Sequence, residues 1–149
     1  MFGLWSYRPM KIIHELEEEF SSRRIAKEPL GMRIRCSETD YLLDEVELGP
    51  DLVLGRSGRT VYFFPLKSIS EATGLEPRVS ISETLGGLLS QQKQPVKVRF
   101  EAGAELHSAW LLNVEGEWMR IASQQGVIWV PLVRLLFAQS ELFSQGDSL

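Results

Sequence analysis

"VYFFPLKSI", residues 61–69, is nearly restated as "VIWVPLVRL", residues 127–135, with Pro65 and Leu66 matched by Pro131 and Leu132 sixty-six positions later. A phrase that recurs with its proline in place points to a duplicated structural unit, which decides the fold before any single motif does. Working outward, "MRIRC" (residues 32–36) stands ahead of the first phrase and "VKVRF" (residues 96–100) ahead of the second. Each alternates an apolar with a basic residue, the period of two of a half-buried strand. Met32, Ile34 and Cys36 are predicted to face a core, with Val96, Val98 and Phe100 as their counterparts.

Between these anchors both halves repeat a longer strand, a turn, a shorter strand and a second turn. "YLLDEVELG" (residues 41–49) answers to "ELHSAWLLNV" (residues 105–114), and "LVLG" (residues 52–55) to "EWMRIAS" (residues 117–123). In the second of these long strands, Leu106, Trp110, Leu112 and Val114 are expected on the inner side, opposite His107 and Asn113. Gly49-Pro50-Asp51 and Glu115-Gly116 carry turn chemistry. A helix is predicted ahead of each set of strands. Pro9 with Ile12, Ile13, Leu16 and Phe20 marks the first, and Ser80 with Glu83 at capping-box spacing, followed by Ile81, Leu85, Leu88 and Leu89, marks the second. Gly86 and Gly87 disfavour that second helix, which is therefore expected to be short, or close-packed where the glycines sit. "SEATGLEPRV" (residues 70–79) has the composition of a connector, which divides the chain into units 1–74 and 75–149, and "SQGDSL" (residues 144–149) reads as a frayed tail.

The expected fold class is mainly β with short helices (α+β): two tandem small five-stranded barrels, each preceded by a helix. In element order, over roughly residues 10–72 and 79–138, this resembles the Sm-like small β-barrel. The resemblance implies barrels that join edge to edge through their fourth and fifth strands, and often RNA binding through loops facing a ring pore. Where members of that family place an Arg-Gly or Lys-His pair between those strands, this chain has Pro65-Leu66-Lys67 and Pro131-Leu132-Val133.

Composition narrows the function classes. The 149 residues are 44% hydrophobic and 24% charged, with a net charge of −4 that works against indiscriminate attraction to nucleic acid or anionic membranes. No apolar run approaches the length of a membrane span, and the start lacks the pattern of a secretory signal, so a cytoplasmic location is expected. The single cysteine, Cys36, rules out an intrachain disulfide and falls on the inward side of a strand, away from any nucleophile signature. His14 and His107 alone are too few for a zinc site, which needs three or four protein ligands. "GRSGR" (residues 55–59) lacks a phosphate-loop lysine and reads as a hairpin turn. Neither a cofactor nor a catalytic role is expected.

Trp110, Trp118 and Trp129 are expected in cores, where truncating Trp129 to Ala would cost about 3–5 kcal/mol. The repeated phrases differ from ordinary barrel walls because they are apolar on both alternating faces. Val61, Phe63, Phe64, Val127, Trp129 and Val130 are therefore the candidate interface. It would join the two copies as a pseudo-symmetric pair and join subunits into a homo-oligomer, or hold another protein. The function this supports is a non-catalytic interaction or assembly module. The alternative is an RNA-binding regulator using Arg33, Arg35, Lys97 and Arg99, the water-facing residues of the two first strands, and an enzyme comes third.

Overall fold

The computed structural model describes residues 31–74 and 79–141. The helix expected around residues 9–20 and the tail at 144–149 lie outside the described residues. The first half runs β1 (Met32–Cys36), β2 (Thr39–Leu43), β3 (Glu45–Leu48), β4 (Leu52–Ser57) and β5 (Thr60–Pro65). A single 3-10 turn (Leu66–Ser68) then leads into β6 (Ile69–Gly74). A two-residue strand, β7 (Val79–Ser80), and a short helix, α1 (Leu85–Ser90), lead to the second half. That half comprises β8 (Val96–Ala102), β9 (Glu105–Glu115), β10 (Trp118–Ser123), β11 (Gly126–Pro131), a matching 3-10 turn (Leu132–Arg134) and β12 (Leu135–Glu141).

The duplication extends to the backbone. Pro65 and Pro131 share φ −60° with ψ 138° and 137°, and each opens a one-turn 3-10 helix. Proline's fixed φ suits this place, where the strand ends and no ladder N–H is wanted. Each half's last strand returns to its first with the same irregularity. Cys36 lies opposite Ile69 and Arg35 opposite Glu71, so Ser70 is the extra residue; likewise Phe100 lies opposite Leu135 and Arg99 opposite Phe137, leaving Leu136 extra. The alternation of MRIRC and VKVRF is realised as read, with apolar residues buried and basic ones exposed in both.

Pairing across the halves is what departs from two barrels. The strands form a three-stranded sheet, β2-β1-β6, and a nine-stranded sheet, β11-β10-β9-β8-β12-β5-β4-β3-β7, neither closed into a barrel. All pairings are antiparallel except the short contact of β3 with β7. Two local causes are visible. The path that is one continuous strand in β9 is broken at Asp44 into β2 and β3. There the Asp44 N–H donates to the Arg56 carbonyl at 2.6 Å, while its carboxylate accepts from the Gly58 N–H at 3.0 Å. In addition β12 pairs on one side with its own β8 and on the other with β5 of the first half, where Ala138 faces Phe63, Gln139 faces Tyr62 and Ser140 faces Val61.

This joint gives the nine-stranded sheet a core on each of its faces. One core holds Phe100, Met119, Ile121, Leu135 and Ala138 of the second half together with Leu52 and Phe63 of the first. The other holds Met32, Ile34, Cys36, Leu43, Val53 and Phe64 of the first half together with Phe137 of the second. Strand β5 is therefore apolar on both faces because each face meets a different core. Tyr62 and Phe64 turn to their own half, Val61 and Phe63 to the other.

Two smaller expectations are corrected. The second helix does not begin at a Ser80–Glu83 capping box: Ser80 is drawn into β7 opposite Leu48, and Thr84 caps α1 instead, its hydroxyl accepting from the Gly87 N–H at 3.1 Å. The Asp51 carboxylate accepts from the Leu85 N–H at 2.8 Å, which fixes the helix against the first half. The stretch expected as a connector begins inside β6, since Glu71–Gly74 pairs with β1 despite its weak strand composition. Cross-strand pairing outweighs intrinsic propensity there.

Candidate interaction surface on strands β9 to β11

The candidate interface residues separate by copy. Phe63 and Phe64 are buried and Val61 packs against the second-half core, all at the joint between the halves. In the repeat, Val130 is buried in its own core. Val127 and Trp129, the counterparts of Val61 and Phe63, are 53% and 47% exposed. No described strand lies beyond β11.

The other tryptophans join them outside. Trp110 and Trp118 are 52% and 49% exposed, contrary to the core positions expected for them. The reason is in β9. Ala109 and Leu111 face inward opposite Val98 and Ile121, so Trp110 points out. The register then slips by one at Leu112, which lets Val114 return to the inner side opposite Met119. The bulge inverts part of the side assignment expected for β9, because a single extra residue flips every later side chain. Had the small Ala109 been taken as the close-packed position, the outward Trp110 would have been readable from the sequence.

Cross-strand registers place Trp118 opposite Glu115 and Pro131, Arg120 opposite Trp129, and Lys97 opposite Trp110. Glu115, Trp118 and Trp129 line an open depression of about 310 Å³. This face offers flat aromatic area with Arg120 within it, side-chain types enriched in protein-protein contacts, and carboxylates at its margin.

The four basic residues proposed for nucleic acid do not form one patch. Arg33 and Arg35 lie on the three-stranded sheet, where the Arg35 Nε donates to the Asp40 carboxylate at 3.0 Å and Glu71 sits opposite in the register. The hydrogen bond and charge of Asp40, with Glu71 and Glu38 further off, hold the Arg35 guanidinium more firmly protonated than usual. Lys97 and Arg99 lie on the nine-stranded sheet, exposed, on the face that carries Trp110.

Cys36 is fully buried, its thiol 3.5 Å from the Leu136 carbonyl and 3.7 Å from the Ser68 hydroxyl. Burial pushes that thiol up from its ordinary range, more than the hydrogen bonds of Ser68 and Ser37 bring it down. His107, partly exposed, stacks at 5.5 Å on Phe100, a residue of the other core. His14 lies outside the described residues. No cluster of three or more His, Cys, Asp or Glu fit to hold a metal occurs among the described residues, and no described helix is long and apolar enough to cross a membrane.

Cys36 yields a direct expectation. At neutral pH a thiol reagent should leave the native protein unlabelled and react once on unfolding. The unfolded thiol loses its proton first, so native stability should hold below about pH 8 and decline as pH rises beyond it. Burial raises Tyr41 and Tyr62 in the same direction, which steepens the decline near about pH 10. Labelling of the native protein as fast as of the unfolded one, or stability that climbs through this range, would contradict the buried thiol.

Comparison of the chain with protein-family models, curated proteins and solved structures gives no match.

Proposed function

We propose that the chain is a non-catalytic interaction and assembly module of the cytoplasm, with the β9–β11 face as its docking surface. The observation that carries this reading is the cluster of half-exposed Trp110, Trp118 and Trp129 with Val127 and Leu112 on one sheet face. Aromatic area of this kind gains most when a partner removes it from water. Its own kind is the first partner to test, because the equivalent face of the first half is covered by a copy of the same fold.

RNA binding is the second reading, favoured by one juxtaposition: Lys97, Arg99 and Arg120 share the sheet face of the three tryptophans. Bases could stack on the indoles while the cations meet phosphates. The net charge of −4 and the nearby Glu101 and Glu115 oppose it.

Light scattering over a concentration series and filter binding of a single-stranded RNA at two salt concentrations separate the readings. Assembly predicts a mass that grows with concentration, no growth in the W110A/W118A/W129A variant, and no RNA retention. A constant monomer that retains RNA at low salt and releases it at high salt would replace assembly with the RNA reading.

A further inference from the structure

We propose that one chain docks onto the next by repeating its internal joint, the free edge of β6 in one molecule pairing antiparallel with the free edge of β11 in another. This rests on the assembly reading and specifies its partner as a second copy and its contact as a strand pair. Within the chain, β12 supplies an edge and β5 receives it. By the repeat, β6 is the counterpart of β12 and β11 the counterpart of β5. Among the described residues, β6 pairs only with β1 and β11 only with β10. Each molecule therefore carries, among the described residues, an unpaired edge equivalent to each side of a joint it has already made once.

Side-chain sizes agree with this assignment. In the internal joint the small Ala138 and Ser140 stand opposite the large Phe63 and Val61, all four on the same face of the sheet. Carrying the register over by the repeat puts Ala72 opposite Trp129, Thr73 opposite Ile128 and Gly74 opposite Val127. Small again meets large, and the outward residues that the copy of the fold covers in β5 would be covered in β11. Glu71, the counterpart of Phe137, falls outside this ladder just as Phe137 does in the internal joint, and it stays opposite Arg35. An exposed strand edge flanked by apolar side chains is the surface most disposed to such pairing.

The contact uses different strands on its two sides, so it is heterologous. Successive chains continue into a ring or a filament, and the assembly does not stop at a two-fold dimer.

The test uses the full chain with Thr73→Cys in one preparation and Ile128→Cys in another, one of them carrying a mass tag; the wild type, whose only thiol is the buried Cys36, is the control. Directly opposed positions of an antiparallel pair lie within disulfide reach. Under mild oxidation the mixture should give the mixed cross-link, and neither preparation alone should give a dimer. Two results overturn the joint and leave the assembly reading standing: an Ile128→Cys homodimer, which means two β11 edges meet across a two-fold axis, and growth of mass without any cross-link. A strict monomer in light scattering overturns both.

Discussion

Phe63→Ala should destabilise the protein by about 3–5 kcal/mol, while Trp129→Ala, at the equivalent place in the repeat, should cost about 1 kcal/mol or less in the isolated chain. Phe63 is 1% exposed and sits in the second-half core with Leu52, Leu135 and Ala138, so truncation leaves a cavity lined by both halves. Trp129 is 47% exposed and has no described strand on its far side. Urea unfolding at a protein concentration too low for association measures both. Equal losses would mean that Trp129 is covered after all and would remove the asymmetry on which the open β11 edge depends. Because Phe63 belongs to the joint, its loss should lower the stability of both halves in one transition.

Gly74→Ala is expected to cost about 2–4 kcal/mol, the second largest effect of a single substitution. Gly74 closes β6 with φ +134°, a region that a side chain enters only with strain. A methyl group there would also run into the backbone of Gly31 and Met32, which cannot turn aside as a flexible side chain would. Gly116→Ala is the control. Gly116 has φ +59° with nothing near the added methyl, so only the left-handed penalty of about 1 kcal/mol remains. Chemical denaturation of the two variants side by side decides it. A Gly74→Ala loss no larger than that of Gly116→Ala would show that the β1–β6 end is loosely packed.

Much of the local structure was legible. Alternation in MRIRC and VKVRF placed Met32, Ile34, Cys36, Val96, Val98 and Phe100 inward, where they are. The repeated proline marked the end of β5 and of β11, and the two-sided apolarity of VYFF marked a strand that needs cover on both faces. Three features escaped. The bulge at Leu112 is invisible to a strict period of two, so Trp110 was taken for core. Strand β6, written Ile-Ser-Glu-Ala-Thr-Gly, has the composition of a connector and is held by its register with β1. The Ser80–Glu83 capping box lost its serine to β7, and Thr84 took the cap.

That a strand–turn–strand unit occurs twice, and that the apolar residues of β1 and β8 face a core, is written in the sequence. These are properties of nearest neighbours along a chain of fixed strand period. What lies against the outward face of a strand depends on sheet order, which is non-local, and only the tertiary structure decided it. Placing β12 beside β5 covers Val61 and Phe63 and draws Phe137 into the first-half core. Two copies in one chain can form that joint once. Val127 and Trp129, written in the same phrase as Val61 and Phe63, stay half-exposed, with no described strand beyond β11.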